Sequence, residues 1–93
     1  IRTASPEFAE NRAAMTAQVE RLREELQRAR LGGPEEARKR HHQRGKLLAR
    51  ERIDALIDPE TPFLELSTLA ARGMFNDEAL GAGIVTGICV VQG

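Results

Sequence analysis

The chain has 93 residues, with 14 basic and 14 acidic side chains, no net charge, and neither Trp nor Tyr. A chain of this length forms at most one small domain, and its balanced charge argues against a general nucleic-acid binder, which carries a basic excess. One cysteine excludes an internal disulfide framework, and no apolar run is long enough to span a membrane.

Charge is unevenly distributed along the chain. Residues 34–57 carry seven cations and four acids, whereas residues 58–93 carry one cation and five acids. This arrangement predicts either pairing between the two segments or an anionic partner for the basic one.

Residues 6–31 are predicted to form one long helix. Ser5 is a suitable N-cap, Pro6 suits the first helical position, and Gly32-Gly33 ends the helix. Apolar residues recur at steps of three, four and seven, which predicts a narrow apolar face. This apolar stripe consists of Phe8, Met15, Val19, Leu22, Leu26 and Ala29. We interpret it as a surface that packs on the rest of a protein, because a pattern of about three heptads is short for a coiled coil.

A second, strongly polar helix is predicted to begin at Pro34. Acids in its first turn and bases in its last turn complement the helix dipole, and Gly45 is suited to end it. Since Ala37 is its only apolar residue, this helix is expected to be exposed or to contact charged groups. Five cations with no acid between them form the basic cluster: Arg38, Lys39, Arg40, Arg44 and Lys46.

A third helix is predicted over residues 49–57, where the apolar residues at 53, 56 and 57 share one face. Asp58-Pro59 ends this helix. The run Arg50-Glu51-Arg52 at its start is interpreted as a structural network of ion pairs.

Two strands are predicted after the helices. The alternating segment 63–67 and the β-branched segment 84–91 are the strands, and residues 69–83 between them are predicted to be mostly loop. Cys89 lies inside the second strand and is expected to be a buried, unreactive thiol. Because Gln92-Gly93 looks like the start of a turn, the second strand is expected to lack its partner and the chain to be the N-terminal piece of a longer protein.

These elements predict an α+β segment with three N-terminal helices followed by short strands. We divide it into an amphipathic helix at 1–31, a basic helical connector at 32–58, and an incomplete sheet at 59–93.

Several short motifs follow one another in an order that points to a known family. They are Leu31-Gly32-Gly33, Arg40-His41, Arg44-Gly45-Lys46-Leu47-Leu48, Arg50-Glu51-Arg52-Ile53, Asp58-Pro59, Phe63-Leu64-Glu65-Leu66 and the run from Gly81 to Ile88. Together they resemble the N-terminal region of biotin-dependent acyl-CoA carboxylase β subunits, the carboxyltransferases. Leu47-Leu48 and the segment 63–66 resemble the 3-methylcrotonyl-CoA branch, while Ala49, Cys89-Val90 and Gln92 depart from the usual pattern.

The resemblance implies the N-terminal part of a crotonase-like α/β carboxyltransferase domain. The whole enzyme would transfer a carboxyl group from carboxybiotin to an acyl-CoA, with 3-methylcrotonyl-CoA in leucine degradation as the favoured substrate. Geranyl-CoA and propionyl-CoA carboxylases are the alternatives within the family. The catalytic backbone turns of the family lie downstream of this chain. The chain is therefore expected to hold no catalytic residue, to be inactive alone, and to have a structural and oligomer-forming role.

The resemblance also implies partners and a location. Biotin would be carried on a partner α subunit, the β subunits would form a homo-oligomer, and acyl-CoA would be the substrate. Neither nucleic acid nor membrane is an expected partner. The expected location is a bacterial cytoplasm, or the mitochondrial matrix in a eukaryote.

Arg44-Gly45-Lys46 is the candidate binding site. Arg and Lys suit the phosphates of CoA, and Gly45 would let the backbone approach such a group. The alternative is that these cations pair with acids elsewhere in the subunit or oligomer. A metal site is not expected, because adjacent His41 and His42 on a helix point about 100° apart. His41 is instead expected to be a hydrogen-bonding packing residue.

Two further readings of the chain remain open. It could be a helical adaptor without enzymatic activity that binds a partner helix through its apolar stripe. It could also be a small RNA-binding module, although no aromatic residue near the basic cluster is available to stack on bases.

Overall fold

The computed structural model describes all 93 residues. Three α-helices come first: α1 at Pro6–Arg30, α2 at Glu35–Gln43 and α3 at Ala49–Leu56. Two short strands follow, β1 at Leu64–Leu66 and β2 at Thr86–Ile88. The segment 69–83, predicted as mostly loop, contains two short 3₁₀ helices, at Phe75–Asp77 and Leu80–Gly83. None of the helices combines the length and hydropathy that crossing a bilayer requires.

Local signals determine where α1 begins and ends. The Ser5 hydroxyl accepts a hydrogen bond from the backbone N–H of Phe8 at 3.2 Å, and Pro6 takes the first helical position. At the other end, Gly32 and Gly33 have φ of +79° and +83°, a conformation that helical residues cannot adopt. The predicted first helix is therefore confirmed to within one residue of its end.

The apolar stripe of α1 is exposed in its middle, whereas Phe8 at the start of the helix is partly buried. Ala29 is 2% exposed and Leu26 is partly buried, whereas Met15, Val19 and Leu22 are exposed. Only two of the 93 residues are buried, and the second, Gly81, lies in the 3₁₀ helix that packs against the end of α1. The chain thus has almost no hydrophobic core of its own, and most of its apolar surface is open to contact.

The two strands pair antiparallel, with Leu64 opposite Ile88 and Leu66 opposite Thr86. β2 thus has a partner on one edge, whereas its other edge, where a strand following the turn at 92–93 was expected to pair, is open in this two-stranded sheet. The predicted extent of 84–91 was too long, because the residues after Ile88 bond to the loop that follows α3. Asp58 donates its N–H to the Val90 carbonyl at 2.9 Å, and its carboxylate accepts the N–H groups of Gln92 and Gly93 at 2.6 and 2.9 Å.

Gly87 lies in the middle of β2 directly beneath an aromatic ring. A Cβ atom at this position would overlap the Phe63 ring and would come within 2.6 Å of the Leu64 carbonyl oxygen. Glycine at 87 therefore lets the ring lie flat against the sheet, where it replaces the missing side chain.

Glu65 connects the sheet to two helices. Its side chain is 9% exposed and its carboxylate lies 2.6 Å from Nη2 of Arg50 on α3. Arg30, at the end of α1, places its Nε 3.9 Å from the same carboxylate. The hydrogen bond from Arg50 is the main cause that holds the pKa of Glu65 below its ordinary value of 4.5. Arg50 belongs to the basic segment 34–57 and Glu65 to the acidic segment 58–93. Their contact is therefore an ion pair between the two segments, as their charges predicted.

A second ion pair connects the segment between β1 and β2 to α1. Arg72 places its Nε 3.1 Å from the carboxylate of Glu25 on α1. Its hydrogen bond is the main cause that lowers the pKa of Glu25, and the same contact raises the pKa of Arg72. The long connection between β1 and β2 is thus tied back to the first helix by charge.

We expect Glu65→Gln to destabilise the protein by about 1–3 kcal/mol at pH 7, because it removes the charge that balances a largely buried Arg50. Since pairing lowers the pKa of Glu65, its stabilisation is complete above pH 4.5 and is lost as the pH falls through the lowered value. Urea unfolding at several pH values should therefore show the difference from wild type shrinking in acid. Glu24→Gln, at an exposed position of α1, is the matched control, and an equal effect of both variants would contradict this role.

Candidate anion-binding corner

The corner between α2 and α3 is closed by a glycine turn. Arg44 caps α2, and Gly45 follows with φ of +71°. The N–H of Gly45 donates to the His42 carbonyl at 2.9 Å and the N–H of Lys46 to the His41 carbonyl at 3.3 Å. These two bonds form a Schellman motif, in which a glycine in the left-handed conformation satisfies the last carbonyls of a helix. Gly45 is confirmed as the residue that ends the second helix.

His41 fixes the path of the chain beyond this turn. Its Nε2 donates to the Leu47 carbonyl at 3.0 Å, and the side chain is partly buried. The prediction that His41 is a hydrogen-bonding packing residue is confirmed. The contact holds the first residue after the corner against the last turn of α2.

His42 joins α2 to α3 through Glu51. The His42 Nε2 lies 3.0 Å from both carboxylate oxygens of Glu51. One of those oxygens also accepts the backbone N–H of Leu48 at 2.6 Å, which caps the start of α3. The hydrogen bond from His42, followed by that from Leu48, lowers the pKa of Glu51. We call these three residues the His42–Glu51 clamp.

The clamp was not predicted from the sequence. A glutamate at the third position of α3 is a recognised capping signal and could have indicated the bond to Leu48. The contact between His42 and Glu51 spans nine residues and joins two separate helices. No local sequence pattern predicts such a contact. The predicted network at Arg50-Glu51-Arg52 is present in part: Arg50 pairs with Glu65 and Glu51 with His42, whereas Arg52 forms no ion pair within the chain.

Members of the basic cluster differ in whether they have partners. Lys39 forms an ion pair with Glu35 at 2.8 Å, and Arg38 donates from Nε to the Gly33 carbonyl at 3.2 Å. The other three cations form no ion pair and no side-chain hydrogen bond with the chain; they are Arg40, Arg44 and Lys46. Arg40 and Arg44 are four residues apart, a spacing that places side chains on one helix face. All three side chains are exposed to solvent.

Any anion at this corner would be held by side chains. The N–H groups of Arg44, Gly45 and Lys46 all bond to carbonyls of α2, so none is free to bind a phosphate. The end of a helix also carries partial negative charge, which repels anions from the backbone while it favours the cations. A phosphate near Gly45 would therefore gain no backbone hydrogen bond from this turn. Gly45 sets the turn, and Arg44 and Lys46 supply the charge.

The other sequence candidates do not form a site. Cys89 is exposed, contrary to the expectation of a buried thiol, because the chain leaves β2 largely uncovered, and the three residues of that strand are exposed as well. No group of three His, Cys, Asp or Glu side chains is arranged to hold a metal ion. The Nε2 atom of His42 is hydrogen-bonded to the Glu51 carboxylate.

An open cleft lies between the end of α1, the start of α3 and the segment 78–85. Its volume is about 390 Å³ and its walls are largely apolar. Arg50 lies in the wall, and its Nε is buried with no hydrogen-bond partner. The sequence did not predict this cleft, because it forms only when three distant segments are brought together.

Comparison with known proteins establishes the family. The profile described as "Carboxyl transferase domain" matches residues 40–93, which include the corner, α3 and both strands. The chain belongs to the carboxyl transferase domain family.

Similar proteins are longer than this chain. It is 55% identical over 89 residues to the biotin-dependent 3-methylcrotonyl-coenzyme A carboxylase beta1 subunit of Mycobacterium tuberculosis, covering 96% of the chain and 16% of that protein. It is 44% identical over 90 residues to the mitochondrial methylcrotonoyl-CoA carboxylase beta chain of Dictyostelium discoideum, covering 96% and 15%. The propionyl-CoA carboxylase beta chain of Cereibacter sphaeroides is 40% identical over 70 residues, covering 70% and 14%. The chain thus spans about one-sixth of the length of the curated relatives it matches most strongly.

We expect Gly45→Ala to destabilise the corner by about 1 kcal/mol, because alanine is strained at the positive φ that the turn requires. Hydrogen exchange should report faster exchange at the amides of Gly45 and Lys46, whose bonds close the turn. Gly93→Ala, another glycine at positive φ but outside the corner, is the control. Unchanged protection at both amides would contradict the role assigned to Gly45.

Proposed function

We propose that this chain is the N-terminal segment of the carboxyltransferase β subunit of a biotin-dependent acyl-CoA carboxylase. The observation that carries the proposal is the family match over 40–93 together with alignments to β subunits over 96% of the chain. The complete enzyme would transfer a carboxyl group from carboxybiotin to an acyl-CoA. A family match of this kind favours an enzyme segment over a stand-alone helical adaptor.

The favoured substrate is 3-methylcrotonyl-CoA, which places the enzyme in leucine degradation. Relatives named for that substrate align along nearly the whole chain, including the first helix, whereas the propionyl-CoA relative aligns over a shorter stretch. Geranyl-CoA and propionyl-CoA remain the competing substrates. Biotin would arrive on a partner α subunit, and the location would be a bacterial cytoplasm, or the mitochondrial matrix in a eukaryote.

Within that subunit the segment would be structural. Its three parts would be the helix at 1–31, the basic connector at 32–58 and the first strands at 59–93. The exposed middle of the apolar stripe, at Met15, Val19 and Leu22, supports a contact with another part of the subunit or with a second β subunit, because such a surface is stabilised when it is covered. Catalytic groups would be supplied by the rest of the subunit.

Arg44 and Lys46 would contact a phosphate of CoA. The support for this role is that both side chains are exposed, carry no internal counter-charge and project from a corner fixed by hydrogen bonds on either side. A phosphate dianion is a suitable partner for a guanidinium and an ammonium group held close together. The competing role is an ion pair with an acid elsewhere in the subunit or oligomer.

The substrate assignment predicts that the complete β subunit, combined with its α subunit, carboxylates 3-methylcrotonyl-CoA with a higher kcat/KM than propionyl-CoA or geranyl-CoA. Incorporation of labelled bicarbonate into each acyl-CoA measures this preference directly. A higher kcat/KM for propionyl-CoA would replace the favoured substrate and leave the enzyme class unchanged. Loss of incorporation on adding avidin is the control for biotin dependence.

The phosphate contact predicts that Arg44→Ala combined with Lys46→Ala raises the KM for acyl-CoA by about tenfold with little change in kcat, since the phosphates are remote from the reacting carbon. The matched control is Arg2→Ala combined with Arg12→Ala, which removes the same charge from the other end of the chain. An unchanged KM in the first variant would support an ion-pairing role in its place.

A further inference from the structure

We propose that His42 and Glu51 are positioning residues for the contact between the basic corner and the phosphates of acyl-CoA. The inference rests on the proposed function, and it assigns a role to two residues that do not themselves meet the ligand. Through the His42–Glu51 clamp, they would hold the corner so that Arg44 and Lys46 are in place before acyl-CoA arrives.

Little else holds α2 in position. No residue of α2 is buried, so the helix is not fixed by apolar packing. The side-chain bonds of Arg38 and Lys39 stay within α2 and the turn before it. Only the bonds of His41 and His42 reach beyond the helix to the chain that follows. The orientation of the basic corner relative to α3 therefore depends on these two histidines.

Glu51 makes the clamp rigid because it serves two groups at once. Its carboxylate accepts from the His42 ring with both oxygens and from the Leu48 N–H with one of them. A carboxylate held on two sides has little freedom to rotate, and it fixes the ring that it binds. Glu51 is also the one acid in contact with the basic end of α2, where it offsets part of the repulsion among the cations.

Pre-organised cations bind a phosphate more tightly than mobile ones. An arginine or lysine that is already positioned loses less conformational freedom on binding, and the cost avoided appears directly in the affinity. Loosening the clamp should therefore weaken acyl-CoA binding without altering the chemical step. The two effects separate in steady-state kinetics, because the first changes KM and the second changes kcat.

The test is made on the complete carboxylase holoenzyme, with acyl-CoA as the varied substrate. We expect His42→Ala and Glu51→Ala each to raise the KM by about fivefold at unchanged kcat, a modest effect of the size expected for a contact between exposed side chains. The double variant should be no worse than either single one, because both residues act through the same bond. His42→Gln, whose amide can still donate to Glu51, should restore most of the wild-type KM. Glu24→Ala, which removes an exposed acid from α1, should behave as wild type.

The outcomes distinguish this inference from the function on which it rests. A raised KM in the Arg44 and Lys46 double variant, with no change in His42→Ala, would overturn the positioning role and leave the phosphate contact intact. An unchanged KM in all of these variants would overturn both. A lower apparent kcat at an unchanged KM for His42→Ala would mean that the clamp only supports folding, because partial misfolding reduces the amount of active enzyme without changing its affinity. If His42→Ala fails to fold, the comparison of His42→Gln with Glu51→Ala decides, since only the latter removes the acceptor and is expected to raise the KM.

Discussion

The contact between Glu65 and Arg50 is the interaction on which this fold depends. With only Ala29 and Gly81 buried, apolar packing alone does not set the position of the sheet relative to the helices. A carboxylate that is 9% exposed is tolerated only when it is paired, and Arg50 pairs with it at 2.6 Å. Because Glu65 lies in the middle of β1, this contact orients the two-stranded sheet relative to the helices. An ion pair, rather than a hydrophobic core, therefore positions the sheet relative to the helices.

The face of the sheet opposite Glu65 is open and, apart from Thr86, apolar. Leu64, Leu66 and Ile88 alternate with the inward-facing residues of the two strands and are 60%, 48% and 62% exposed. A sheet with one charged, paired face and one bare apolar face is stable only when the second face is covered. This agrees with a chain that corresponds to about one-sixth of its relatives. The exposed apolar residues of α1 also agree with a chain that spans about one-sixth of the length of its relatives.

Features determined by neighbouring residues could be predicted, and those determined by distant residues could not. The ends of α1 and α2 follow from Ser5, Pro6 and the glycines, all of which act within one turn of the chain. The length of β2 could not be predicted, because it is limited by Asp58, more than thirty residues away in sequence. The position of the basic corner was visible in the sequence, but the bond that holds it was not.

The corner shows why the placement of charge is informative even in a neutral chain. Arg40, Arg44 and Lys46 repel one another, and no acid of this chain pairs with them. The helix dipole offsets only part of that repulsion, since each favourable end effect is worth about 0.3–1 kcal/mol. Under the proposed role, an external anion would offset the remaining repulsion within the cluster. A phosphate suits it better than a single carboxylate, because it carries more charge and offers three acceptor oxygens to donors that come from different directions. The corner lies within the region that matches the family, yet no residue of α2 is buried, so the apolar packing of this chain does not explain why the cations are placed there.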